Sequence, residues 1–131
     1  MSRPKIDEKL RVLVVEDDAS VRRSMQMLLQ GNGFDVRAYT TVDQILQDDS
    51  IDEAACLVAD YRLDGSDGIA VLDALRQRGW HGPAILMTAF PTGELRRSAQ
   101  AAGFDAFLEK PFRDHALVNS VTRLTREYQS R

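Results

Sequence analysis

The chain alternates between short unbroken apolar runs and longer stretches in which apolar positions recur every three or four residues. Four runs stand out: Val12–Val15, Cys56–Ala59, Ala84–Met87 and Ala106–Leu108. Hydrophobicity without alternation suits strands covered on both faces, as in a parallel sheet. A fifth segment, FDVRAY, does alternate and predicts an edge strand. Between the strands the spacing is helical. Val21, Met25, Leu28 and Leu29 share one side, Arg22, Arg23 and Gln26 take the other, and Gly31 and Gly33 supply stop signals. Thr41 suits the cap of a short helix carrying Val42, Ile45 and Leu46. Ile69, Leu72 and Leu75 predict a helix closed by Gly79, and Leu95, Ala99 and Ala102 another closed by Gly103. The stripe of this fourth helix is mostly alanine, so it buries little area and should be the least firmly held. The last helix is expected to start at Asp114, read as its cap, and to run through Leu117, Val118, Val121 and Leu124 to about Tyr128.

Five alternating strand–helix units imply an α/β fold, a doubly wound parallel sheet with right-handed crossovers and helices on both faces. A length of 131 residues suits one domain. Residues 1–9 read as an N-terminal extension, 10–128 as the domain and 129–131 as a tail. A net charge of -3 leaves no cationic excess to neutralise phosphates, so direct nucleic-acid binding is not expected. The single cysteine, Cys56, lies in an apolar run, cannot form an internal disulfide and reads as a small buried hydrophobe. MSRPKIDEKLR has no apolar core of signal-peptide length, and no segment approaches the roughly 18 apolar residues needed to span a bilayer. A cytoplasmic location away from the membrane is expected. His81 and His115 receive no chemistry, and Trp80 in RGWHGP reads as a partly buried loop anchor.

Ligands of open parallel sheets bind outside the carboxyl ends of the strands, where strand order reverses. The polar residues that follow the buried runs are therefore the candidates: Glu16, Asp17 and Asp18, then Asp60, Thr88, and Glu109 with Lys110. Singly, each has a plainer reading. An acidic triplet before a helix caps it, an aspartate after a strand forms a turn, a threonine at a strand end satisfies backbone, and a lysine before proline is solvated. Their coincidence at four strand ends favours a site. Three clustered carboxylates, Glu16, Asp17 and Asp60, repel unless cations intervene. One divalent ion and Lys110 would balance them. Magnesium is the natural ion, with manganese as the alternative, because it accepts few carboxylates and keeps positions for phosphate oxygens. Without histidine or cysteine the set does not suit zinc or copper. A phosphoryl donor could then be presented to an Asp60 oxygen, with Thr88 and Lys110 on the phosphoryl oxygens.

The motifs VLVVEDD, LVADYRLDGSDG, PAILMTAF and FDAFLEKPF, in that order and each closing a strand, resemble those of bacterial response-regulator receiver domains from about Leu10 to about Tyr128. The resemblance implies a CheY-like, flavodoxin-like five-stranded sheet in the order 2-1-3-4-5. It implies that Asp60 takes a phosphoryl group from a phosphohistidine on a sensor histidine kinase or a histidine phosphotransfer protein. Asp17 and Asp60 would bind magnesium with the backbone carbonyl of Arg62, and Glu16 would act mostly through water. Thr88 and Phe107 would form the switch pair, although Phe107 lacks the hydroxyl of the tyrosine often found there. Arg62 occupies a position that tunes phosphoryl lifetime in the family. Asp64 and Ser66 depart from the usual LPGMDG loop, and the missing proline is expected to loosen it.

Such a module is not an enzyme beyond its own aspartyl phosphorylation and dephosphorylation. Its output would pass through the face of the fourth helix, fifth strand and fifth helix, to a homodimer or another partner. Two other readings are a magnesium-dependent phosphatase or hydrolase with an aspartate nucleophile, and a pseudo-receiver that only binds partners. The sequence offers no evident substrate domain for the first, and the intact Asp17, Asp60, Thr88 and Lys110 oppose the second.

Overall fold

A computed structural model describes residues 9–130. Five strands form one parallel sheet: β1 (Arg11–Val15), β2 (Asp35–Tyr39), β3 (Ala54–Asp60), β4 (Ala84–Thr88) and β5 (Ala106–Glu109). Their order is β2-β1-β3-β4-β5, the expected 2-1-3-4-5. Strand order reverses between β1 and β3, so the crevice lies beyond the ends of those two strands. Every residue of β3 is buried, as a central strand covered on both faces requires.

Five helices cover the sheet: α1 (Ala19–Gly31), α2 (Val42–Leu46), α3 (Gly68–Gln77), α4 (Gly93–Ala102) and α5 (Asp114–Gln129). Alternate residues of the strands feed two separate cores. Val12, Val14, Val58, Ile85 and Met87 pack with Met25 and Leu29 of α1 and with Leu117, Val121 and Leu124 of α5. Leu13, Val15, Leu57 and Leu86 pack on the other side with Ile45 of α2, Val71, Leu72 and Leu75 of α3, and Ala99 of α4. Within α4, Ala99 is the one buried residue, in keeping with its alanine stripe.

Helix ends follow local chemistry. Thr41 caps α2 by accepting from the N–H of Gln44, and Gly103 closes α4 at φ 106°. The start of α5 differs from expectation. Arg113 occupies the cap position without a side-chain bond, and Asp114 is the first helical residue, where its charge favours the positive end of the helix dipole. Trp80 also differs: it is buried at 3% exposure rather than partly exposed. Its indole N–H donates to the carbonyl of Ala54 at 3.1 Å, which satisfies the one polar group such a ring must place. The loop around it closes tightly enough that a Cβ on Gly82 would lie 2.3 Å from the indole.

Two pieces of structure have no counterpart in the hydrophobic pattern. Asp49–Glu53 forms a 3-10 turn ahead of β3. Arg62–Leu63 pairs with Ser66–Asp67 in an antiparallel ribbon turning at Asp64 and Gly65, where φ is 76° at the glycine. The loop lacks proline, yet it is tied in by buried Leu63 and by Asp67, whose carboxylate caps α3 through the N–H of Ala70 at 2.8 Å. Most of the expected N-terminal extension and Arg131 of the expected tail lie outside the described residues. α5 continues one residue past Tyr128, to Gln129. Among the described residues no helix is long and apolar enough to cross a membrane.

Candidate functional site

Sheet register assembles the rim. Val15 sits level with Ala59, so Glu16 follows β1 beside Asp60, the last residue of β3. Asp60 in turn pairs with Met87, which brings Thr88 one residue further, and Thr88 pairs with Glu109, which brings Lys110 next. Parallel strands in this register bring four chain-distant residues to one edge. The carboxylate oxygens of Glu16, Asp17 and Asp60 all come within 4.8 Å of one another.

Lys110 is the central cation. Its Nζ lies 2.6 Å from Glu16 Oε2 and 3.1 Å from Asp60 Oδ2. Burial alone would push the ammonium pKa down, but the hydrogen bond it donates to Glu16 and the charges of Glu16 and Asp60 outweigh it, and the pKa is raised. Lys110 is therefore held charged. Its backbone N–H donates to the carbonyl of Thr88 at 2.7 Å, and its peptide bond to Pro111 is cis. Glu16 is only 1% exposed. Burial pushes its carboxyl pKa up and the Asp60 charge adds to that, while Lys110 and the N–H of Asp18, 3.2 Å from Oε1, pull the other way.

The aspartates at positions 17, 18 and 60 have different surroundings. Asp18 accepts from the N–H groups of Ser20 and Val21 at 3.0 and 3.1 Å and from the Ser20 hydroxyl at 2.8 Å. These bonds to the ionised form lower its pKa and mark it as the cap of α1, the plainer of its two readings. Asp17 is exposed, and its carboxylate has no hydrogen-bond or ion-pair partner among the described residues. Asp60 is 7% exposed, on a strand end held by Tyr61, whose N–H donates to Met87 at 2.7 Å. Gly68 lets α3 close on that strand end. A Cβ there would lie 2.6 Å from the Asp60 carbonyl oxygen and 2.6 Å from Leu86 Cδ1, closer than a side chain tolerates.

The donor set fits a small hard cation. The three clustered side chains offer only carboxylate oxygens, and oxygens on opposite sides of one magnesium ion lie about 4 Å apart. Asp17 and Asp60 suit direct binding, and Glu16, already engaged by Lys110, suits contact through water.

Thr88 and Phe107 sit on the flank of this rim. Thr88 is buried, and its Oγ1 accepts from the N–H of Phe90 at 3.1 Å, which leaves the hydroxyl hydrogen for another acceptor. Phe107 is half-buried, with the Arg96 guanidinium 4.5 Å from its ring centroid. Arg62 lies exposed over the ring of Phe90 at 4.6 Å, and that ring is itself 62% exposed. Asp64 stands at the ribbon turn, away from any ion pair among the described residues. Sequence reasoning missed Phe90 and Gly68. An apolar residue two places after a strand-ending threonine was the available signal for the first, and a glycine at the helix start for the second.

A family profile described as a response regulator receiver domain matches residues 12–122. The chain belongs to the response-regulator receiver family. Its relatives include nodulation protein W of Bradyrhizobium diazoefficiens, 36% identical over 94% of this chain and 54% of that protein. The transcriptional regulatory protein FixJ of Azorhizobium caulinodans is 36% identical over 87% of this chain and 54% of its own length. A receiver protein structure from Burkholderia phymatum superposes with a TM-score of 0.76 at 35% identity, covering 89% of this chain and 95% of that one. A CheY-like receiver domain from Methanospirillum hungatei gives a TM-score of 0.85, at 22% identity over 94% of this chain and 98% of the other, and shows the fold. The chain spans about half the length of the curated relatives it matches. As a receiver domain of two-component signalling it is not an enzyme in the ordinary sense, and receiver domains of this family accept phosphate from sensor kinases.

Proposed function

We propose that Asp60 is the phosphoacceptor of this receiver domain and that Lys110, Thr88 and a magnesium ion serve the transfer. The observation that carries the reading is one ammonium shared by Glu16 and Asp60 beside the partnerless carboxylate of Asp17. Asp17 and Asp60, with the backbone carbonyl of Arg62 and with Glu16 through water, would hold the ion. When bound, it supplies positive charge for the phosphoryl oxygens.

The donor is a phosphohistidine on a sensor histidine kinase or a phosphotransfer protein. The Asp60 carboxylate forms the new phosphorus–oxygen bond as the phosphorus–nitrogen bond breaks, and the imidazole nitrogen leaves with the electron pair. Lys110 stays protonated, turning from the free Asp60 carboxylate toward a phosphoryl oxygen. Thr88 donates its hydroxyl hydrogen to another. As its hydroxyl moves, Phe107 turns into the space it leaves and reshapes the face of α4, β5 and α5. The module thus catalyses only its own phosphorylation and dephosphorylation.

In this reading the Arg62 side chain, stacked over Phe90 and two residues past Asp60, influences access of the hydrolytic water to the aspartyl phosphate and so sets phosphoryl lifetime. Asp64 adds negative charge to the same loop. Residues 10–128 form the working domain, in the cytoplasm, with a homodimer or another protein as the downstream partner. No direct nucleic-acid contact is assigned to this domain, because its charge of -3 does not favour one.

Incubation with magnesium and a small acyl-phosphate donor tests the reading. Intact-mass measurement should show one added phosphoryl group in wild type and none in Asp60→Asn. Rapid hydrolysis of the donor with no phosphoryl adduct accumulating on Asp60 would instead indicate a phosphatase, and neither adduct nor hydrolysis a pseudo-receiver. In the same assay Arg62→Ala should change the dephosphorylation half-time. An unchanged half-time would remove Arg62 from the mechanism.

A further inference from the structure

The partnerless carboxylate of Asp17 has to be aimed by something other than its own contacts. Glu16 is gripped by Lys110 and by the N–H of Asp18, and Asp60 is built into a buried strand. Asp17 has neither kind of support. It sits between β1 and α1 in a three-residue link, exposed, and its aim depends on the two backbone angles on either side of its Cα.

Both of those angles are controlled by one side chain. Arg22 Nη1 lies 3.0 Å from the carbonyl oxygen of Glu16 and 3.4 Å from that of Asp17. The first oxygen belongs to the peptide plane before the Asp17 Cα, and the second to the plane after it. Tethering both planes to a single nitrogen restricts the rotation of each relative to the other, and so restricts the direction of the Asp17 Cβ. Helix geometry makes this reach natural. Arg22 lies one turn into α1, its N–H donates to the Asp18 carbonyl at 2.9 Å, and helical side chains lean toward the N-terminus. The guanidinium presents its donors to carbonyl oxygens, leaving the carboxylates facing the rim.

We infer that Arg22 is a positioning residue for the divalent ion, aiming Asp17 by holding the two peptide planes that flank it. The inference rests on the magnesium site proposed above. Arg22 touches neither the ion nor the phosphoryl group. Magnesium demands near-ideal octahedral geometry, whereas calcium accepts variable distances and numbers of ligands. A loss of aim should therefore penalise magnesium more than calcium. A loss of charge alone would penalise both alike.

The test is calorimetric titration of the metal-free full chain with magnesium and, separately, with calcium. In Arg22→Met, which keeps an apolar stem, magnesium affinity should fall about tenfold, the lower end of what outer partners of metal ligands contribute. Calcium affinity should fall less than about threefold by the same geometric argument, and the metal-free melting temperature should stay close to that of wild type. Unchanged magnesium affinity, or equal losses for the two ions, would overturn the role. Should Arg22→Met fail to fold, Arg22→Lys retains a donor on a long stem and should lie between wild type and that loss, with the same preference against magnesium. If wild type itself bound no magnesium, the site would fail before Arg22 did. Binding in wild type with no change in either variant sinks Arg22 alone.

Discussion

Helices α1 and α4 flank the same rim and are anchored in opposite ways. α1 runs thirteen residues, is capped by Asp18 and sinks Met25 and Leu29 into the core, with Val21 and Leu28 packed alongside. α4 runs ten residues and buries only Ala99, with Leu95 and Ala102 partly covered. What α4 lacks in aliphatic area it replaces in part with the Arg96 guanidinium over Phe107, a contact worth about 0.5 to 1 kcal/mol at an exposed site. The rigid helix is the one that carries the acidic link and Arg22. The lightly held one carries the contact to the proposed switch residue. A receiver needs both properties: a site that does not move while a group is transferred, and a neighbouring surface that can move for a few kcal/mol or less.

The largest expected effect tests the firm side. Leu29 is fully buried among Met25, Phe34 and Val121, so Leu29→Ala should cost about 3 kcal/mol, transfer energy plus the cavity left behind. On α4 the corresponding change is Ala99→Gly, which removes one buried methyl group and adds backbone freedom, for about 1.5 kcal/mol. Urea unfolding of the two variants measures both. Amide hydrogen exchange of the wild type sharpens the contrast, since α4 should open in smaller, cheaper fluctuations than α1. A cost for Ala99→Gly equal to that for Leu29→Ala would mean that α4 is no looser than α1, and the division of labour drawn here would fail.

Much of this was legible in the chain because burial leaves a strong pattern. The four unbroken runs became β1, β3, β4 and β5, FDVRAY became the edge strand β2, and the residues after each run met at one rim. The alanine stripe of α4 also marked its shallow burial in advance. What escaped were contacts that hydrophobic spacing does not encode. The ribbon at Arg62–Asp67 pairs two residues with two, too short for any alternation to register. Trp80 reads as a partly buried loop anchor, yet the Ala54 carbonyl gives its N–H a partner and lets the ring sink. Arg22 read as the solvent side of an amphipathic helix, since a bond from a side chain to a carbonyl six residues back has no sequence signature. Asp114 followed the usual rule for caps, but the chain enters α5 one residue earlier, at Arg113.

The smallest effect concerns a third element on the same side of the sheet as α4. α2 buries Ile45 alone, and the segment leaving it is tied down by the Tyr39 hydroxyl donating to Asp48, whose carboxylate also accepts from the N–H and hydroxyl of Ser50 at 2.8 and 2.6 Å. The Ser50 bonds, with Tyr39, hold Asp48 down at about 2, while burial and then the Asp48 contact push the Tyr39 phenol above its usual range. A carboxylate with a depressed folded-state pKa contributes stability that is present above its unfolded value, about 3.9, and is lost as pH falls through the folded value. A phenol with a raised pKa contributes stability that is complete below about pH 10 and is lost at higher pH. Tyr39→Phe should therefore be less stable than wild type around neutral pH, by under about 1 kcal/mol because solvent screens the pair. That difference should shrink as pH drops from about 4 toward 2, since protonating Asp48 weakens the bond in wild type too. Unfolding curves collected across that range decide the matter: a gap that stays constant with pH would mean that the hydroxyl contributes packing alone, and that α2 is held no differently from α4.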